Sequence, residues 1–133
     1  MKKHKIMIVD DDPSFLEITA AILRRFGYEV LTANSTAGVL QSLETQKPDL
    51  LILDIMMTTM DEGLEFAVKL RQRKGLERFP IIIVSAQPDT EKGYGRSVDE
   101  DMDWIAADIF MEKPVDPQAL NHNILLLLEK GAS

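Results

Sequence analysis

Three runs of consecutive apolar residues, each halted by a polar one, limit the fold more than any other feature of the sequence. Ile6-Met7-Ile8-Val9 stops at Asp10, Leu50-Leu51-Ile52-Leu53 stops at Asp54, and Ile81-Ile82-Ile83-Val84 stops at Ser85. Such runs are too short to span a membrane and show no alternation that would leave one face in water. They read as strands covered on both faces, which is the signature of a parallel sheet between helices. Two weaker strand segments, 29–33 and 109–111, complete a set of five.

Helical segments fall between the strands. Pro13 suits a first helical position behind an Asp12 cap, and Gly27 suits the helix end. Phe15, Ile18, Ala21, Ile22 and Leu23 recur at helical spacing and mark the expected inner face. A second helix, capped by Asn34 or Ser35, carries Val39, Leu40 and Leu43 and must end before Pro48. A third is expected over about 63–73 with Leu64, Phe66, Ala67 and Leu70 inward, and a short fourth over about 97–107. The last starts at Asp116-Pro117 and turns Leu120, Ile124, Leu127 and Leu128 inward. At 133 residues the chain is far too short for a complete eight-fold barrel, leaving a doubly wound α/β sheet of (βα)5 type. A single domain over 1–133 is expected, with no output domain in this chain.

Composition narrows function. A net charge of −7 disfavours contact with phosphate backbones or anionic membranes, so neither nucleic acid nor membrane is an expected direct partner. The absence of cysteine excludes disulfides and thiolate metal sites and fits a reducing cytoplasm.

A doubly wound sheet binds ligands beyond the carboxyl ends of its strands. There the sequence places Asp10, Asp11 and Asp12 after strand one, Asp54 at strand three, Ser85 at strand four and Lys113 after strand five. Each alone is ordinary: Asp12 as a helix cap, Ser85 as a turn former, Lys113 as a surface lysine. Together, carboxylates without His or Cys favour Mg²⁺, and a carboxylate such as Asp54 can then act as nucleophile toward phosphorus. Lys113 and the Ser85 hydroxyl offer a cation and a donor to phosphoryl oxygens.

The segments IMIVDDDP (6–13), PDLLILDIMM (48–57), PIIIVSA (80–86) and MEKP (111–114) resemble the response-regulator receiver family over essentially the whole chain. The resemblance implies a flavodoxin-like fold with strand order 2-1-3-4-5. It implies Asp54 as phosphoacceptor, with Asp10, Asp11 and the Met56 carbonyl joining Asp54 around Mg²⁺. Ser85 becomes the switch hydroxyl, Lys113 the ionic partner of the phosphoryl group, and Phe110 the switch aromatic. The implied partner is a sensor histidine kinase or phosphotransfer domain, with the downstream target unidentified. The family's output surface lies around the fourth helix, fifth strand and fifth helix.

Two stretches depart from the family pattern. Thr58 stands where a proline is usual, and Glu62 reads as an insertion before Gly63. Between Ala86 and Lys113 the chain is several residues longer than in typical receivers, with Gly93, Gly95 and the acidic run 99–103. Trp104 within it is expected to fill the core rather than anchor a partner. His4 and His122 are expected on the surface, against a phosphohistidine carrier role. Two alternatives remain: a constitutive interaction domain of the same fold, and a phosphatase with an aspartyl-phosphate intermediate. The second lacks the Asp-x-Asp pattern such enzymes use, since Met56 stands two residues after Asp54. A receiver assists its own phosphorylation and dephosphorylation and is not expected to be an enzyme acting on an external metabolite.

Overall fold

In a computed structural model, which describes residues 3–54, 62–76, 78–85 and 108–132, the apolar runs form the middle of a five-stranded sheet. In chain order the elements are β1 (Lys5–Val9), α1 (Pro13–Arg25), β2 (Glu29–Ala33), α2 (Val39–Thr45), β3 (Leu50–Asp54), α3 (Glu62–Gln72), β4 (Ile81–Ser85), β5 (Ile109–Glu112) and α4 (Pro117–Ala132). All pairings are parallel and the strand order is β2-β1-β3-β4-β5. The fold is therefore the flavodoxin-like one expected. The short helix expected over 97–107, Trp104, and the loop around Thr58 lie outside the described residues.

Alternate residues of each strand serve different cores. Met7, Val9, Leu51, Leu53, Ile81 and Ile83 pack with Val39 and Leu43 of α2 and with Phe66, Ala67 and Leu70 of α3. Ile6, Ile8, Leu50, Ile52, Ile82 and Val84 pack with Ala20 and Leu23 of α1 and with Leu120, Ile124 and Leu127 of α4. Unbroken apolar runs are thus required by burial on both faces. Full burial of each such side chain contributes about 1.5–3 kcal/mol.

The inner face of α1 differs from the expected one. Thr19, Ala20 and Leu23 are buried, with Phe15 and Leu16 partly so, while Ile18 is 61% exposed and Ala21 also faces solvent. Spacing alone admitted both stripes, and the sheet selects the one that puts small Thr19 and Ala20 inside. The Gly27 cap forms as expected. With Gly27 at φ 96°, its N–H donates to the Arg24 carbonyl (3.0 Å) and that of Tyr28 to the Leu23 carbonyl (3.1 Å). Burial raises the Tyr28 phenol above its ordinary value of 10.0, so the hydroxyl keeps its proton and donates to Asn121 Oδ1 at 2.6 Å on α4.

α2 begins later than expected, and neither Asn34 nor Ser35 caps it. Gly38, left-handed at φ 78°, precedes Val39, and no side chain caps the helix. The Ser35 hydroxyl instead accepts from the Ala37 N–H at 3.3 Å, closing a local turn that competes with helix initiation. α4 follows expectation: Leu120, Ile124 and Leu127 are buried, Leu128 is partly so, and Leu125 and Leu126 face out. Among the described residues, no helix is long and apolar enough to cross a membrane.

Ile52→Ala should destabilise the fold by about 2–5 kcal/mol, because Ile52 is enclosed at the centre of the sheet. Leu126→Ala, 44% exposed on α4, should change stability far less. Urea unfolding of the two variants checks the contrast.

Candidate functional site

The sheet order reverses between β1 and β3, since the chain moves outward to β2 and then returns past β1. The crevice above this reversal is where a doubly wound sheet binds ligands. Asp10 follows β1 and Asp54 ends β3, and both are nearly enclosed, at 0% and 3% exposure. Asp11 is exposed beside them. Carboxylate oxygens of Asp10, Asp11 and Asp54 all lie within 4.8 Å of one another.

Asp10 has divided its two oxygens. Oδ1 accepts from the Asp12 N–H at 2.9 Å, which fixes the turn into α1. Oδ2 accepts from the Lys113 ammonium at 2.7 Å. Asp12 does what a cap should, accepting from the Ser14 N–H at 3.0 Å, ahead of Pro13 in the first turn. It is a helix cap and does not join the carboxylate cluster.

Lys113 reaches the crevice from the far side. β5 pairs with β4 in the register Ser85↔Glu112, and the Lys113 N–H donates to the Ser85 carbonyl at 2.7 Å. The following peptide, Lys113–Pro114, is cis. From there the ammonium stands 2.7 Å from Asp10 Oδ2 and 3.6 Å from Asp54 Oδ2, so Asp10 is its tighter partner. Its third neighbour is an aromatic ring: Nζ lies 4.3 Å from the ring centroid of Phe15, on the first turn of α1. The signal for Phe15 in the sequence was its place three residues after the Asp12 cap, a spacing that also suits plain core packing.

Ser85 closes β4 and is buried. Phe110, opposite Ile83 on β5, is partly buried against the core shared with α2 and α3. Of the site residues expected from sequence, Asp10, Asp11, Asp54 and Lys113 are gathered together, with Ser85 at the neighbouring strand end. Met56 lies outside the described residues. His4 and His122 are exposed, as expected.

The donor set fits a hard divalent cation. Among the described residues, three carboxylates cluster there with the Lys113 ammonium beside two of them, the ligand atoms are all oxygen, and neither His nor Cys is among them.

The family model for the response regulator receiver domain matches residues 6–125. The chain belongs to that family. Among curated relatives, the receiver is 34% identical over 132 residues to the alkaline phosphatase synthesis transcriptional regulatory protein PhoP of Bacillus subtilis, covering 96% of this chain and 49% of that protein. It therefore spans about half of that relative, and 28% of the transcriptional regulatory protein GlrR of Escherichia coli, to which it is 34% identical over 98% of its own length. Among solved structures, it is similar to a CheY-like response regulator receiver domain protein from Methanospirillum hungatei. There the TM-score is 0.79 and the identity 28%, over 97% of this chain and 96% of that one. Chemotaxis protein CheY4 of Vibrio cholerae gives a TM-score of 0.79 at 25% identity, over 95% of this chain and 99% of that one.

Removing Lys113 leaves the enclosed Asp10 carboxylate without its cation. Lys113→Met should cost about 3 kcal/mol of stability in the absence of divalent ions, at the low end for a broken buried pair because the ammonium is partly exposed. Adding Asp10→Asn should recover part of that loss. Urea unfolding of the single and double variants in chelator checks both.

Proposed function

We propose that this receiver is a phosphorylation-controlled switch whose acceptor is Asp54. One observation carries the reading: Asp54 stands nearly enclosed at the end of β3, with the Lys113 ammonium 3.6 Å from Oδ2 and the Asp10 and Asp11 oxygens within 4.8 Å. An Asp54 oxygen attacks the phosphorus of a phosphohistidine on a sensor kinase or phosphotransfer domain, or of a small acyl phosphate. The N–P or O–P bond to the donor breaks, and the departing imidazole or carboxylate keeps the bonding pair. Asp10, Asp11, Asp54 and the Met56 carbonyl are the residues that would hold Mg²⁺. When bound, it would neutralise charge on the phosphoryl oxygens.

Lys113 would supply a second positive charge to those oxygens, and the Ser85 hydroxyl a hydrogen-bond donor. The product adds about −1.5 charge or more at the strand ends. Ser85 and Phe110 would then shift, biasing the surface around residues 97–107, β5 and α4 between two populations. The output would be read by a protein partner. The charge of −7 weighs against direct DNA contact by this segment, although the longer relatives are named as transcriptional regulators. The chain would act as a phosphoacceptor rather than as an enzyme on an external metabolite.

With Mg²⁺ and acetyl phosphate, the wild type should gain the mass of one phosphoryl group, and Asp54→Asn should gain none. A wild type that stays unmodified and does not bind beryllofluoride would favour the constitutive interaction domain. Sustained release of phosphate from an ester would favour the phosphatase.

A further inference from the structure

We infer that Phe15 is a positioning residue for Lys113: its ring face holds the ammonium at the strand ends while leaving the N–H donors free to be redirected. The inference rests on the reading of Asp54 as acceptor and concerns how the lysine serves it.

The geometry sets the problem. Lys113 Nζ is 2.7 Å from Asp10 Oδ2 and 3.6 Å from Asp54 Oδ2. Two carboxylates hold it, and the nearer is not the acceptor. For the ammonium to serve a phosphoryl group on Asp54, at least one of its three donors must turn toward the new oxygens, which weakens its hold on Asp10. A long side chain that gives up an ion pair gains many rotamers pointing into water, and Lys113 is already 21% exposed. Something other than a carboxylate has to keep it in the crevice.

The Phe15 ring meets that need, with its centroid 4.3 Å from Nζ. An aromatic face attracts a cation through its quadrupole, over a broad area and without a fixed hydrogen-bond direction. The three N–H donors of the ammonium can therefore turn from Asp10 toward a new oxygen without leaving the ring. A third carboxylate in this place would instead add to the negative charge that an incoming phosphoryl group must approach.

The ring itself is fixed from three directions. Asp12 caps the first turn of α1 through the Ser14 N–H, and Asp10 Oδ1 holds the Asp12 N–H. Phe15 also packs against the core shared by α1 and α4. Asp10 thus touches both ends of the contact, binding the ammonium through one oxygen and the turn that carries the ring through the other.

Packing and cation attraction are separable by substitution. Leucine keeps the apolar contact and removes the π face; tyrosine keeps both. Phosphorylation by acetyl phosphate with Mg²⁺ should be about threefold to tenfold slower in Phe15→Leu, the size expected for a partly exposed cation–π contact. Phe15→Tyr should stay within about twofold of wild type on the same scale. A readout independent of phosphorylation is the Lys113 side-chain NMR signal. Its ε-methylene protons should be shifted upfield by the ring in wild type and Phe15→Tyr, and should lose that shift in Phe15→Leu. Equal rates in wild type and Phe15→Leu, an equal loss in the leucine and tyrosine variants, or an unchanged Lys113 signal in Phe15→Leu would each overturn the proposal alone. A wild type that is never phosphorylated, with the upfield shift present, would remove the acceptor reading and the role built on it while leaving the contact itself intact.

Discussion

An enclosed carboxylate that must be shared is the constraint around which this molecule is arranged. Asp10 sits at 0% exposure where the sheet order reverses, and a charge in that position requires partners on every side. It finds them in segments far apart in the chain: the Asp12 N–H at the mouth of α1 and the Lys113 ammonium after β5. Only the parallel sheet makes this possible, because β1, β3 and β5 all deliver their last residues to one edge. The three central strands satisfy the backbone beneath, and the two cores hold the strands in register. Among the described residues, what stands at that edge is three clustered carboxylates with the Lys113 ammonium beside two of them.

The sequence was most legible where one physical demand acted alone. Ile6 to Val9, Leu50 to Leu53 and Ile81 to Val84 can satisfy their hydrophobicity only by burial on both faces, and all three are fully enclosed. The strand-end residues followed, since parallel pairing fixes where Asp54, Ser85 and Lys113 emerge. Legibility failed where two demands competed. On α1, two stripes were compatible with helical spacing, and only contact with the sheet places Ala20 inside and Ile18 outside. Before α2, the Ser35 hydroxyl had a choice between capping a helix and closing its own turn, and Gly38 decides the matter at φ 78°.

Lys113 shows the limit most directly. Its arrival at the acidic edge was readable from parallel pairing, but its preference for Asp10 over Asp54 was not, because sub-ångström differences in reach between two carboxylates leave no trace in spacing. Nor was Phe15 marked out, since an aromatic on the first turn of an amphipathic helix is an ordinary core residue. Both facts belong to tertiary placement, which links residues about a hundred positions apart. Residues 86–107, expected to depart most from the family in length, lie outside the described residues.

The division of the sheet into two cores has a consequence for how the chain can vary. Ile52 and Leu53 are covalent neighbours but face opposite sides, one toward α1 and α4, the other toward α2 and α3. Ile52 shares its compartment with Ile124, seventy-two positions later, and not with the residue beside it. Energetic coupling follows shared packing, so substitutions at 52 and 124, in one core, should depend on each other more than the side-chain terms at 52 and 53, which lie in different cores. Along the described strands the packing is two interleaved sets of positions, one for each core. Each can drift by compensation within itself, and the strand ends, where Asp10 and Asp54 sit, are where the two must stay in step.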